Sequence, residues 1–228
     1  GPDYLPRGEQ VLLARAEQLE NADDREAALQ AIEILVKLSP NNTSAMDRAA
    51  GLHYRARRLE PALALLEKWR QTQPREPMPL VRQAVLLHQQ ADDPGSFAKL
   101  HQAMEMASGR RRAKIAFLGA RLALQSYLVP QSGQTADPNT LRAVHEFLRD
   151  CLAQEPGYPH GQWCLAAVRW LEGSPQLLAE QASQMQQADA ADSRYYYFAA
   201  LCHLLGGQFE GALLACRRVA QPVGNNGS

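Results

Sequence analysis

Pro40 and Pro74 stand 34 residues apart, and each closes a run of apolar residues at the i, i+3, i+4, i+7 spacing of a helix face. Before Pro40 come Ala28, Ile32, Leu35 and Val36; before Pro74 come Ala62, Leu66 and Trp69 in the same register. Ala28 and Ala62 share one offset from their prolines, and Ile32 and Leu66 share another. A small side chain followed by a large one at fixed places is what two helices need where their backbones cross most closely. A recurrence of this length leaves few folds open. A single helix pair cannot bury its own apolar face, so successive pairs must stack and share one continuous core.

The pattern is fullest near the end of the chain. From Ser193 it places Tyr196, Ala199, Ala200 and His203 on one helix, Gly206-Gly207 in a turn, and Phe209, Ala212, Cys216 and Val219 on a second. From His160 it gives Trp163, Ala166, Ala167 and Trp170, then a Gly173-Ser174-Pro175 turn and Ala179. Earlier stretches repeat it with Leu12, Ala16, Leu19 and Ala28, and with Met46, Ala49, Ala50, His53, Leu59 and Ala62. This order of residues resembles the tetratricopeptide repeat family, whose unit is a helix, a turn and an antiparallel helix. The resemblance covers residues 7–220 as six units, near 9–42, 43–76, 77–109, 112–158, 160–192 and 193–221. Residues 1–6 read as a lead-in opening on a tag remnant, Gly1-Pro2, and 221–228 as a flexible tail. The family implies an all-α fold, a right-handed superhelical solenoid of about six such repeats. Two places depart from the pattern: Asp92-Asp93-Pro94-Gly95 reads as a lengthened turn, and Val129 to Pro138 as a polar insert.

Charge and composition narrow the functional classes. The 228 residues carry 24 Lys plus Arg and 24 Asp plus Glu, so no global field recruits nucleic acid or an anionic membrane surface. Polar residues interrupt every apolar run before the ~18 residues a membrane span requires. Cys151, Cys164, Cys202 and Cys216 sit in apolar helical contexts and read as packed thiols in a reducing compartment, although four cysteines also permit pairing. A cytoplasmic location is expected, or a bacterial periplasmic one if a leader has been removed. Asn41-Asn42-Thr43-Ser44 reads as a helix N-cap, and Asp23, Asp24 and Glu26 as charges complementing a helix start. The run Arg110-Arg111-Arg112-Ala113-Lys114 reads as a solvated patch, as do Arg55, Arg57 and Arg58. No phosphate-cradling glycine loop, nucleophile elbow or His-Cys metal spacing occurs, so the sequence implies no enzyme, no metal and no cofactor.

Function is then expected on the surface. By the resemblance, positions 2, 5, 9 and 12 of each first helix face a concave groove. Units 1 and 2 would present Gln10, Leu13, Glu17, Glu20, Ser44, Asp47, Gly51 and Tyr54, a mildly acidic wall. The later units would present a greasier one, and Met78, Val81, Val85, Ala116, Ala120, Cys164, Val168, Leu171, Tyr197 and Leu201 are the candidate peptide-binding residues. Alternatively, the small alanines let neighbouring helices close this surface against itself. The family's carboxylate-clamp subgroup, which grips chaperone C-termini with Lys and Asn, is not matched, since Leu13, Glu17, Asp47 and Gly51 stand in the early places and only Arg82 is suitably charged. The reading is a non-catalytic scaffold that binds a peptide or helix of another protein. The alternatives are a self-assembly module stacking through its terminal repeats, hence a homo-oligomer, or the regulatory repeat region of a larger enzyme or of a secretion or assembly protein.

Overall fold

The computed structural model describes residues 4–129, 137–174, 176–188 and 193–220. Among them run twelve α-helices and no strand: α1 (Tyr4–Asn21), α2 (Arg25–Leu38), α3 (Thr43–Arg55), α4 (Leu59–Thr72), α5 (Met78–Gln89), α6 (Asp93–Glu105), α7 (Gly109–Leu128), α8 (Pro138–Gln154), α9 (Pro159–Leu171), α10 (Gln176–Ala188), α11 (Ser193–Leu205) and α12 (Phe209–Ala220). Odd and even helices pair as consecutive hairpins. The helices form two compact units, Gly1–Met106 holding α1–α6 and Ala107–Ser228 holding α7–α12, where the sequence pattern reads as one domain. α1 opens at Tyr4, inside the stretch read as a lead-in. Most of the insert, residues 130–136, and the tail at 221–228 lie outside the described residues, as does Pro175.

One backbone device makes five of the six hairpins. Asp23, Arg57, Ala91, Gly173 and Gly207 each occupy the left-handed region, with φ of 59°, 58°, 71°, 71° and 73°. The next residue's N–H then reaches back five residues: Asp24 to the Leu19 carbonyl, Arg58 to His53, Asp92 to Leu87, Ser174 to Arg169 and Gln208 to His203, all at 2.7–3.0 Å. This is a Schellman closure, which satisfies carbonyls the ending helix leaves unpaired and turns the chain back on itself. Glycine takes the strained place at Gly173 and Gly207 without a Cβ penalty; Asp23, Arg57 and Ala91 bear it.

Helix starts are capped as the residue types dictate. Asp24, Asn42, Asp92 and Asp137 accept hydrogen bonds from the backbone N–H of Ala27, Ala45, Gly95 and Asn139 at 2.9–3.2 Å. The Asp92 cap corrects the expectation of a lengthened turn. Asp93 and Pro94 already belong to α6, where proline in the first turn gives up an N–H that has no intrahelical partner. In the first unit the core gathers Ala28, Ile32, Leu35, Ala45, Met46, Ala49, Ala62, Leu66 and Trp69, the alanines and large residues of the repeat pattern. In the second, Ala166, Leu178, Ala182, Met185, Phe198, Ala199, Cys202 and Ala215 cluster in the same manner. α7 and α8 pack closely at Gly119, where an added Cβ would stand 2.6 Å from the Phe147 ring.

Candidate functional site

In the first unit the first helices of successive hairpins are joined by charge. Glu20 on α1 accepts from Arg48 at 2.6 Å and from Arg55 at 2.9 Å, both on α3. Asp47 on α3 accepts from Arg82 on α5 through both carboxylate oxygens, at 2.9 and 3.1 Å. Burial alone would raise the Glu20 pKa, but the two guanidiniums outweigh it and hold the carboxyl below its ordinary value. Glu9 accepts from Ser39 and Asn42. The acidic wall read from the sequence is therefore largely neutralised by its neighbours. A hollow of about 340 Å³ lies beside Tyr54, Arg55, Arg57, Leu59, Gln89 and Gln90. Met78 and Val85 are half-buried, with Met78 packed on the core cluster, and Val81 is buried.

The second unit carries no such charge ladder on its first helices among the described residues. Ala116 and Ala120 on α7, with Ala113 and Ala123, are fully buried, as is Val168 on α9, and Cys164 beside it is buried. A buried side chain cannot meet a ligand, so these candidates, with Val81, are packing residues. The reason is steric: alanine adds so little bulk that neighbouring backbones approach and enclose it. Leu171 and Leu201 are half-buried, and Leu201 packs on the second cluster. Tyr197 and Leu204 stand 53% and 51% exposed. Tyr197, Leu201 and Leu204 thus form one stripe of α11 at i, i+4 and i+7. Tyr196 is buried beneath it, with the Arg218 guanidinium 5.5 Å from its ring centre.

A band of aromatic rings lies beside this stripe, and sequence reading missed it. Phe117 on α7 meets Tyr158 at 5.4 Å and His160 at 5.8 Å between ring centres; His160 meets Phe198 at 5.5 Å, and Trp163 stacks on Phe198 at 5.9 Å. Tyr197 continues the band, 5.4 Å from Phe198. These rings come from α7, the start of α9, and α11, so the contacts skip the intervening second helices. A polar chain links α9 and α10: Arg169 donates to the fully buried Gln181 at 2.5 Å, and Gln181 to Gln162.

The remaining expectations resolve as follows. Arg110 and Arg112, read as solvated, face the acidic end of α8, 3.8 Å from Glu155 and 3.5 Å from Asp150. Their antiparallel partner helix explains why cations are tolerated at a helix N-terminus. Arg55 and Arg58 pair with Glu20 and Glu26. Cys151, Cys164 and Cys202 are free, buried thiols, and burial raises their pKa values to about 12, 11 and 12. Cys216 is free but exposed, against the expectation of a packed thiol. The described residues hold no group of three or more metal-ligating side chains, and none of their helices is long and apolar enough to cross a membrane.

No family model matches this chain, and no curated protein is similar to it in sequence. Solved structures share its fold. PilW, a widely conserved type IV pilus biogenesis factor, matches with a TM-score of 0.58 at 14% identity, over 92% of this chain and 91% of its own. PilF of Pseudomonas aeruginosa matches at 0.61 with 11% identity, over 94% and 91%. A tetratricopeptide repeat protein from Parabacteroides merdae matches at 0.53 with 11% identity, over 96% and 80%. Likeness at such identities speaks for the fold alone.

Proposed function

We propose that this chain, which has the tetratricopeptide-repeat fold, is a non-catalytic protein-interaction scaffold that takes an apolar peptide or amphipathic helix along α11. The observation that carries the reading is the stripe in which exposed Tyr197 and Leu204 flank half-buried Leu201. Three apolar side chains at one helical face match the i, i+4, i+7 anchors by which a partner helix is read, and Tyr197 adds a ring with a polar tip. The ring band holds α11 against its neighbours and so presents the stripe on a fixed platform. In the first unit the corresponding faces spend their polar groups on one another, which supports placing the apolar ligand in the second.

Selection of random peptides displayed on phage tests the reading. The wild-type chain should enrich apolar sequences, and Leu204→Arg, at an exposed place, should weaken the selected peptides at least about tenfold, with an unchanged far-UV spectrum and melting midpoint. Equal binding by Leu204→Arg and by Tyr197→Ala would remove α11 from the proposal. Val168 is no substitute, because a charge at a fully buried place reports on folding.

A further inference from the structure

α12 carries a second apolar surface, separate from α11's stripe. Phe209 and Leu213 are 70% and 54% exposed, and Cys216 is exposed in line with them. They recur at i, i+4 and i+7, while Ala212 and Ala215 on the adjoining flank are buried. Counting from the first residue of each second helix, Leu213 takes the place of Leu29 in α2 and Leu63 in α4, and Cys216 that of Ile32 and Leu66. Leu29, Ile32 and Leu66 are buried in a cluster that includes Ala45, Met46 and Ala49 of the hairpin that follows α2. Earlier in the chain this stripe lies under an amphipathic helix; on α12 it stands open.

We propose that the same helix of a second copy covers it, running antiparallel about Leu213, which goes beyond the peptide-binding reading. Two features favour self-pairing. Leu213 lies at the middle of the stripe, so a two-fold axis there sets one copy's Phe209 against the other's Cys216 and matches the stripe's three residues with themselves. Glu210 and Arg217 lie along one edge of the stripe, both exposed, at its opposite ends, and neither has an ion pair to another described residue. An antiparallel pair brings each Glu210 to the partner's Arg217, twice over, whereas a parallel pair sends the charged edges to opposite sides. A single helix pair buries little surface, so association on the order of micromolar is expected.

Sedimentation equilibrium of the full chain between about 1 and 100 µM should therefore show monomer and dimer in exchange. Leu213→Asp should weaken the dimer at least about tenfold, Glu210→Arg should weaken it, and Glu210→Arg with Arg217→Glu should restore it. In a Cys216→Ser background, Leu213→Cys should form a disulfide-linked dimer under mild oxidation, since the two side chains meet at the axis. Leu204→Arg, expected to weaken peptide capture, should leave the dimer intact and so keeps the two proposals apart. All these side chains are exposed or half-buried, and an unchanged circular dichroism melt confirms folding. A monomer across the whole range overturns the pairing, whether α12 is covered by residues of its own chain or by another partner. A dimer indifferent to Leu213→Asp and to the charge exchange overturns it equally.

Discussion

The two units are built from one hairpin but join their first helices with different chemistry. In residues 1–106 the joints are guanidinium–carboxylate pairs, Glu20 with Arg48 and Arg55, and Asp47 with Arg82. In residues 107–228 they are rings and small apolar side chains, Phe117, His160, Trp163 and Phe198 among the rings. Partly exposed ion pairs contribute about 0–1 kcal/mol each, and ring pairs about 0.5–1.5 kcal/mol beyond the area they bury. The stabilities are thus comparable, but the surfaces left behind are not. Paired charges satisfy one another and keep a hydrated face. Apolar joints leave Tyr197 and Leu204 about half exposed, with apolar surface facing water.

The difference can be broken experimentally, beginning with thiol chemistry. All four cysteines belong to the second unit, and at neutral pH Cys216 should react alone. A thiol moved from 9.0 to about 12, as for Cys151 and Cys202, has roughly a thousandfold less thiolate, and burial slows it further. Labelling followed by mass spectrometry checks this; rapid modification of Cys151 would show that the second unit opens readily. Gly119→Val forces a side chain into the Phe147 ring and should cost about 1–3 kcal/mol in urea, read through thiol exposure, which belongs to the second unit alone.

Acid should act on the first unit instead. The Arg70 hydrogen bond holds Glu67 down at about 2 against its ordinary 4.5, and Glu20 is lowered too. Depressed carboxylates stabilise the fold fully above their ordinary pKa, so that contribution is lost as pH falls from about 4.5 towards 2. Glu20→Gln should lower stability by about 1 kcal/mol at pH 7 and flatten this acid loss, as followed by Trp69 fluorescence. The smallest effect is a gain. Ala91→Gly relieves a left-handed alanine at φ 71° and should stabilise the chain by about 0.5–1 kcal/mol in the same denaturation, whereas no gain would place the strain elsewhere.

Much of the fold was legible in the residues. The Pro40 and Pro74 recurrence, the Asn42 cap and the split between buried Tyr196 and exposed Tyr197 all follow from local pattern. The turns were legible only where glycine marked them: Asp23, Arg57 and Ala91 take the same backbone conformation, and the signal lay in their place two residues before a second helix. The ion pairs had a signal as well, since Glu20 and Asp47 each find a partner 35 residues on, close to one repeat. The aromatic band had none. Phe117 and Phe198 lie on helices far apart in the chain, and only stacking brings their common neighbour His160 between them.

Sequence by itself determined which faces are apolar and where each hairpin turns, because helix periodicity and capping act over a few residues and need no distant partner. Whether those apolar faces meet solvent was decided by tertiary packing. Ala116, Val168 and Tyr197 share one kind of register place, yet the first two are buried and the last is open. Exposure depends on how closely the neighbouring backbones approach, and that distance is set jointly by side chains from several helices.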